Sequence, residues 1–226
     1  MSTARIRGCA ALAIAAITAA GCTTTTAGHQ QPGADARRAT ELTSLLLTAD
    51  EINEAMNTTG MTVDSTSSGL ADDSADITPV DCLAVSSVGQ EQVYAGTDFT
   101  AASIQSLRQP GQSYTHLAHQ SVVEFPTPEA ASAFYDKART AWTACAPGSY
   151  AVSANEGGSS WTVVPLEEAQ GMLTASSIRQ GTVLLCQHAL TAAAAVIVDV
   201  RACSSDASSS QGALTIAQQI VNRVGK

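Results

Sequence analysis

The stretch VVEFPTPEAASAFYDKARTAWTAC, residues 122–145, decides the fold of this chain. Its apolar beginning predicts a strand over 117–125, and Thr127-Pro128 then supplies an N-cap and a first-turn proline for a helix. Apolar side chains recur at steps of three and four as far as Cys145, which gives the helix one continuous apolar face. The stretch therefore predicts a strand followed by a long amphipathic helix that ends at a cysteine.

Further strands and a last helix follow on the C-terminal side. A short strand is predicted over 161–164. The runs TVLLCQHAL (182–190) and AAAVIVDVRAC (193–203) are apolar, rich in β-branched residues and joined by a short link. They predict two neighbouring paired strands. The tail from Gly212 places apolar residues on one face and predicts a final helix.

The N-terminal side contributes a helix, a loop and two short elements. Thr48 and Glu51 form a capping box, which predicts a helix that ends near Gly60. Residues 64–78 are rich in Asp, Ser and Gly and predict an exposed loop, and strands are predicted over 82–88 and 91–94. This order of elements predicts an α+β domain over 42–226, with helices packed on a mainly antiparallel sheet as a two-layer sandwich.

The first 22 residues have the three zones of a secretory signal. Arg5 and Arg7 precede a short apolar run, which ends in small residues before Cys22. The run is too short to span a bilayer. The ending Gly-Cys resembles the bacterial lipobox, although Ala19 stands where that motif favours leucine. Residues 1–21 are thus expected to be a lipoprotein signal peptide, with a buried N-terminal helix or ordinary secretion after cleavage near Ala20 as alternatives.

The lipobox resemblance implies that Cys22 carries a diacylglyceryl group and an acyl chain such as palmitate. Two or more chains hold a protein stably at a membrane, whereas one does not. Residues 22–41 contain no large apolar side chain and are expected to form a flexible tether behind the lipidated cysteine. The expected location is the extracytoplasmic face of the cell membrane.

Composition narrows the classes of partner. The chain has 226 residues and a formal net charge of −9, and loss of the leader removes two more positive charges. Such acidity argues against nucleic-acid binding, which needs clustered Lys and Arg. It also argues against attachment to anionic lipid head groups by charge, so the acyl chains must hold the membrane.

Six cysteines divide into one in the leader, the lipidated Cys22 and four in the domain. Export to an oxidising compartment favours disulfides among the last four. Their spacing contains no C-x-x-C pair and leaves three connectivities open. The two adjacent strand runs bring Cys186 close to Cys203, which would leave Cys82 for Cys145.

Few residues suggest catalysis. His116 and His119 are three apart on a predicted strand and point to opposite faces, which argues against a shared metal. Cys186 and His188 share a strand face as a thiol–imidazole pair would, but Cys186 is expected to be oxidised.

Other polar residues are also expected to have structural roles and not catalytic or metal-binding ones. Ser159 and Ser160 follow two glycines without a nucleophile-elbow motif, and a turn is expected. The carboxylates of the 64–78 loop lack the spacing of a calcium loop and are expected to be solvated; they are Asp72, Asp73 and Asp76. Trp161 either packs in the core or lines a cleft. We expect no enzyme activity, no catalytic residue, no metal and no cofactor.

Several motifs together resemble one known family. They are LLLTADEIN (45–53), VDCLAV (80–85), the stretch 122–145, and the pair LLCQHAL and VIVDVRAC. The pattern is similar to the extracellular sensor domain of the mycobacterial serine/threonine kinase PknH and to lipoproteins that share it. The similarity extends over about residues 42–225.

The resemblance implies a specific disulfide pattern and a binding function. It implies an α/β sandwich in which consecutive cysteines pair, here Cys82 with Cys145 and Cys186 with Cys203. It also implies a cleft for an unidentified ligand, whose lining residues the sequence does not name. No kinase signature such as H-R-D or D-F-G is present. We therefore expect a lipid-anchored envelope protein whose sensor domain binds a small ligand or a protein partner in a cleft. The alternative is a structural or interaction lipoprotein without a small-molecule ligand.

Overall fold

A computed structural model describes residues 32–111, 115–153, 158–206 and 211–225, with side chains from residue 37 onward. The described residues belong to one compact unit, Pro32–Lys226. The signal peptide and the lipidation site at Cys22 lie outside the described residues and stay predictions.

One antiparallel sheet of ten strands forms the centre of the unit. Nine strands lie in the order β1-β3-β4-β10-β9-β8-β6-β5-β2, and β7 pairs with β8 off this path. The strands are β1 Thr62–Ser67, β2 Ile77–Thr78, β3 Ala101–Arg108, β4 His116–Glu124, β5 Gly148–Val152, β6 Ser159–Val163, β7 Glu167–Ala169, β8 Met172–Arg179, β9 Leu185–Ala193 and β10 Val196–Ser204.

The described residues also form six helices. They are α1 Pro32–Thr43, α2 Ala49–Ala55, α3 Leu83–Ser86, α4 Glu91–Tyr94, α5 Pro128–Cys145 and α6 Gly212–Val224, and a 3-10 turn, Val80–Cys82, precedes α3. The capping box of α2 and the Thr127 cap of α5 both form.

The two faces of the sheet carry separate cores because side chains alternate along each strand. On β10, Val198 and Val200 point to the core formed with α2 and α6. Ile197 and Cys203 point to the opposite core, formed with α3 and α5. Helices thus cover both faces, and the structure adds a second helical layer to the predicted sandwich.

The α+β class and the antiparallel sheet are confirmed. The sequence located β4, α5, the β9–β10 hairpin and α6 because each has a long apolar pattern of one period. It did not locate β3, β5, β7 and β8.

The two strands predicted over 82–88 and 91–94 were wrong, since both segments are helical. The 3-10 turn and α3 cover 80–86, and α4 covers Glu91–Tyr94. All four residues of α3, Leu83–Ser86, are buried between α5 and the sheet. The apolar run in the sequence therefore reflects a helical turn that is buried on every side. Periodicity cannot distinguish such a short run from a buried strand.

Two other segments differ from the expected loop and tether. The predicted loop 64–78 contains most of β1, an exposed edge strand on β3, and all of β2. Residues 32–41, expected in the tether, lie in α1. Tertiary contacts stabilise this helix: Leu42 is buried, and the Arg38 guanidinium pairs with the Glu124 carboxylate of β4.

Both disulfides have the expected pairing. Cys82 bonds to Cys145, which ties the turn before α3 to the end of α5. Cys186 bonds to Cys203 directly across the β9–β10 pair. Within the described ranges, no helix is long and apolar enough to span a bilayer.

Candidate ligand cleft

A cleft lies on the part of the α5-side sheet face that the helix leaves open. It consists of two adjoining cavities of about 380 Å³ and 250 Å³. Both are lined by Asp73, Ser86, Ser87 and Arg201, so the cavities meet beneath one segment of chain. The two cavities together are called the cleft below.

The floor of the cleft is built from alternate residues of neighbouring strands. Tyr150 of β5 stands opposite Trp161 of β6, and Trp161 stands opposite Arg179 of β8. The sheet face continues through the β9–β10 hairpin to β4 and β3. Floor residues therefore come from strands far apart in sequence: Leu117, His119, Tyr150, Trp161, Arg179, Arg201 and Cys203.

The roof of the cleft is the segment 71–90. Ala71 pairs with Gln90, and the Gln90 side chain exchanges hydrogen bonds with the backbone and carboxylate of Asp73 at 2.8 and 2.9 Å. Farther along, the Ser153 N–H donates to the Asp76 carbonyl at 2.7 Å. The contacts of Gln90 thus join the two ends of the roof to each other, and the Asp76 carbonyl attaches the roof to the residue that follows β5.

Gly89 brings the roof into direct contact with the sheet. Its φ of +58° lies in the left-handed region, and a Cβ there would stand 2.5 Å from the Ile104 side chain. Its N–H donates to the Asp199 carboxylate at 3.0 Å. Only glycine satisfies both the backbone conformation and the close approach.

A buried histidine–aspartate pair holds the roof from below. His188 Nε2 and Asp199 Oδ1 are 2.5 Å apart, and both side chains are almost fully buried. His188 Nδ1 lies 3.0 Å from the Val85 carbonyl, which can only accept, so Nδ1 carries a proton. Nε2 faces the carboxylate, so both ring nitrogens of His188 have a hydrogen-bond partner. The pair thereby connects β9 and β10 to both α3 and Gly89.

Arg201 is the most constrained basic side chain of the cleft. Its guanidinium stacks on Trp161, 5.2 Å from the ring centroid, and its Nη2 donates to the Tyr150 hydroxyl at 3.3 Å. The rings of Tyr150 and Trp161 are parallel within 5° and are themselves buried. The two aromatic side chains therefore position the guanidinium and are not free platforms for a ligand.

Arg201 differs from most described arginines in its ion pairing. Four other arginines form ion pairs: Arg38, Arg108, Arg139 and Arg223. Over the described ranges, neither Arg179 nor Arg201 has an ion-pair partner within 4.0 Å. Arg201 Nε is buried and finds no hydrogen-bond acceptor among the same residues. Positive charge and one buried donor are thus left at the floor.

His119 lines the smaller of the two cavities, together with Arg201. Its Nδ1 lies 2.8 Å from the Ser106 hydroxyl. Burial lowers the pKa of His119 to about 4, and the nearby charge of Arg201 acts in the same direction. The ring is therefore neutral at pH 7, and Arg179 and Arg201 supply the positive charge of the floor.

The candidate residues named from the sequence fall into two groups. Trp161 is buried and also lines the cleft, so it has both of the roles that the sequence offered as alternatives. Asp73 and Asp76 line the roof, whereas Asp72 lies outside the cleft and accepts from the Ser74 N–H at 3.1 Å. The solvated-loop interpretation is therefore wrong for Asp73, which is half-buried and bonded to Gln90.

The other candidates have structural contacts. Ser159 and Ser160 lie in β6 and not in a turn, and the Ser159 hydroxyl accepts from the Trp161 indole at 2.9 Å. His116 points away from His119 and lies 3.0 Å from the Ser204 hydroxyl. Cys186 is oxidised, so no thiol stands beside His188. No group of three metal-ligating side chains occurs among the described residues.

Sequence reasoning missed Arg179, Arg201, Tyr150 and Asp199. A signal for two of them was present in VIVDVRAC, where Asp199 and Arg201 alternate with valines. Two charged residues on one side of an otherwise apolar strand indicate a polar patch on that face of the sheet. No local pattern marks Arg179 or Tyr150, because the fold alone brings them to the cleft.

A separate cavity of about 290 Å³ lies between α5 and residues 80–93. Apolar side chains dominate its lining, among them Leu83, Val93 and Phe134. Lys137 closes one side by donating to the carbonyls of Val93 and Ala95 at 3.3 and 3.0 Å. The Lys137 ammonium is thus already bonded within the chain, in contrast to the Arg201 Nε of the cleft.

Comparison with known proteins identifies the family. The family model of the PknH-like extracellular domain matches residues 38–223. The chain belongs to the PknH-like extracellular domain family. The match covers all ten strands and most of the helical residues, including the whole cleft.

Individual PknH-like proteins support this assignment. The serine/threonine-protein kinase PknH of Mycobacterium bovis is 30% identical over 197 residues, which cover 87% of this chain and 32% of the kinase. PknH of Mycobacterium tuberculosis H37Rv is 30% identical over the same length, with 30% of the kinase covered. The chain thus spans about a third of the length of these kinases.

A solved structure shows the same fold. The crystal structure of the extracellular domain of PknH from Mycobacterium tuberculosis superposes with a TM-score of 0.76 at 29% identity. The alignment covers 83% of this chain and 96% of that domain. The PknH-like fold therefore accounts for nearly the whole of the described unit.

Proposed function

We propose that this protein is a lipid-anchored envelope protein whose PknH-like domain binds a small polar ligand in the cleft. The observation that carries the proposal is the floor of the cleft, where two arginines lack a carboxylate partner within the described ranges. Charged groups without partners are costly inside a fold and are retained where they contact a ligand.

Two further features support binding over catalysis. The roof is attached to the sheet side through Asp76 and through Gly89, so the cleft is largely preformed, as ligand sites usually are. The most buried polar pair, His188 and Asp199, is fully bonded between β9, β10 and the roof. It connects the strands to the roof, and Cys186, two residues before His188 on β9, is oxidised and offers no nucleophile.

Ligand binding in the cleft is tested with a blocking substitution. Ser87 is half-buried and lines both cavities, so Ser87→Trp fills the cleft without removing a core side chain. Ala133→Trp, on the exposed side of α5, is the matched control. In a thermal-stability screen with small molecules extracted from the cell envelope, we expect shifts in wild type and Ala133→Trp that disappear in Ser87→Trp.

Two other results would contradict ligand binding in the cleft. Shifts that persist in Ser87→Trp would place the ligand elsewhere. No shift in any protein, together with a reproducible cross-linked envelope protein, would support the alternative of an interaction lipoprotein.

The membrane anchor is tested separately at Cys22. Radioactive or alkyne-tagged palmitate should label the wild-type chain and not the Cys22→Ala variant, and the variant should leave the membrane fraction. Two acyl chains give stable membrane residence, so their loss should release nearly all of the protein. Equal labelling and unchanged fractionation of the two proteins would refute lipidation at this cysteine.

A further inference from the structure

The basic end of the cleft differs from the rest of its lining. Arg179 and Arg201 both line the larger cavity, and both are neighbours of Trp161: Arg179 pairs with it across β6–β8, and Arg201 stacks on its ring. The chain is acidic overall, with 20 carboxylates against 11 basic residues. Two guanidinium groups that lack an ion pair within the described ranges are therefore unexpected in so acidic a chain.

The geometry of Arg201 suits an anion. Stacking on Trp161 and the bond to Tyr150 fix the plane of the guanidinium before any ligand arrives. Its Nε donor is buried with no acceptor in the described part of the chain. A planar guanidinium with free donors binds the paired oxygens of a phosphate or a carboxylate, and the bonds are stronger because both groups are charged.

The opposite side of the cleft limits the ligand. Asp73 and Asp76 lie in the roof, where their carboxylates repel a second anionic group. Carboxylates and serine hydroxyls do bind hydroxyl groups, and Ser87 and Ser159 also line the cavity. The lining thus combines one basic end with several acceptors and donors for neutral polar groups.

We propose that Arg201 and Arg179 form an oxyanion subsite, and that the ligand is a small hydroxylated molecule with one phosphate or carboxylate group. This inference rests on the proposed ligand binding in the cleft and adds the chemical class of the ligand. Sugar phosphates and sugar acids have this chemistry.

Titration with three related sugars tests the class of ligand. The full chain, purified in detergent, is titrated with glucose 6-phosphate, glucuronate and glucose, while NMR follows the Arg201 Nε–H signal. We expect this signal to move with the phosphate or the carboxylate and to stay in place with glucose. Whichever of the two anionic sugars binds with higher affinity shows whether the subsite prefers a phosphate or a carboxylate.

Two arginine substitutions give matched variants. Arg201→Gln should weaken binding of the anionic sugars at least about tenfold, because a charge-assisted bond pair is lost. Arg108→Gln is the control, since Arg108 pairs with Asp64 outside the cleft and should leave the affinity unchanged. Thermal unfolding of both variants verifies that each is folded.

His119 provides an independent signal. Part of the depression of its pKa comes from the charge of Arg201, which a bound anion offsets. Binding of the anionic sugar should therefore raise the pKa of His119 from about 4, whereas a merely structural role of Arg201 predicts no such change.

The result that would overturn the inference is distinct from failure of the proposed function. Equal affinity in Arg201→Gln and wild type, or an unchanged Arg201 signal with every probe, would rule out the oxyanion subsite. A neutral molecule whose binding is blocked by Ser87→Trp but unaffected by Arg201→Gln would overturn the subsite and leave ligand binding in place.

Discussion

At the scale of single residues, β10 shows how one strand serves both a core and a cleft. Val198 and Val200 are buried in the core beneath α6, while Asp199 and Arg201 face the other side. Asp199 is bonded within the chain to His188 and Gly89, so it stabilises the fold. Arg201 is left without a carboxylate partner in the described ranges and is therefore available to a ligand.

Neutralising Asp199 tests the buried pair. Asp199→Asn removes the carboxylate charge from the hydrogen-bonded pair with His188, and breaking a buried pair from one side costs about 3 kcal/mol. We expect this loss in the free energy of unfolding measured with urea. The control Asp64→Asn breaks the exposed pair with Arg108 and should cost less than about 1 kcal/mol. Equal losses in the two variants would show that the buried pair has no special role.

The pH dependence of stability tests the environment of His119. The folded pKa is about 4, below the ordinary value of 6.5, so the unfolded chain binds the proton more tightly. Stability should be unaffected above pH 6.5 and should fall as the pH is lowered from 6.5 to 4. We expect a loss of about 2 kcal/mol, allowing for the partial exposure of the ring.

Substitution of His119 separates its contribution to this pH dependence from that of His116. His119→Gln should flatten most of the dependence between pH 4 and 6.5. His116, whose pKa is also lowered by burial, should contribute in the same direction. A His119→Gln variant with the wild-type pH profile would contradict the burial of His119 beside Arg201.

At the scale of elements, the sequence predicted those with a long apolar period. For α5 the cap, the proline and the regular apolar steps all agree, and the helix begins and ends where they indicate. The same reasoning mispredicted the segment 80–94 as strands, because its short helical turns are buried by a disulfide, α5 and the sheet. Its conformation is imposed by tertiary contacts that local sequence does not record.

Gly89 connects this segment to the sheet, and its substitution tests that connection. Gly89→Ala combines a left-handed backbone with a Cβ only 2.5 Å from Ile104, and we expect it to cost about 2 to 3 kcal/mol. Gly96→Ala is the control, since its φ is +72° and a Cβ there meets nothing within 4 Å. It should cost about 1 kcal/mol.

Hydrogen exchange provides the accompanying measurement. In Gly89→Ala, the amides of 85–90 should exchange faster while those of β9 and β10 keep their protection, because the roof loosens before the sheet. Equal exchange in the Gly89→Ala and Gly96→Ala proteins would contradict the close approach of roof and sheet.

At the scale of the whole molecule, the fold class followed from the sequence and the disulfide pairs and a cleft followed from the family resemblance, whereas the residues that line the cleft could not be predicted. The disulfides could be anticipated because the two apolar runs 182–190 and 193–203 form one hairpin. The cleft requires the order β4-β10-β9-β8-β6-β5, which places Arg201 near Tyr150 across 51 residues of sequence. Such order depends on the pairing of strands, which no local motif encodes.

Mapping of backbone amide signals during ligand titration tests the central claim most directly. The claim is that this PknH-like domain binds a small ligand over the open part of its sheet. When the full chain is titrated with an active fraction of the envelope extract, we predict perturbed amides at 73–77, 86–88, 159–161 and 201. Perturbations confined to α5 and residues 80–84, or to the opposite face around α6, would contradict the account.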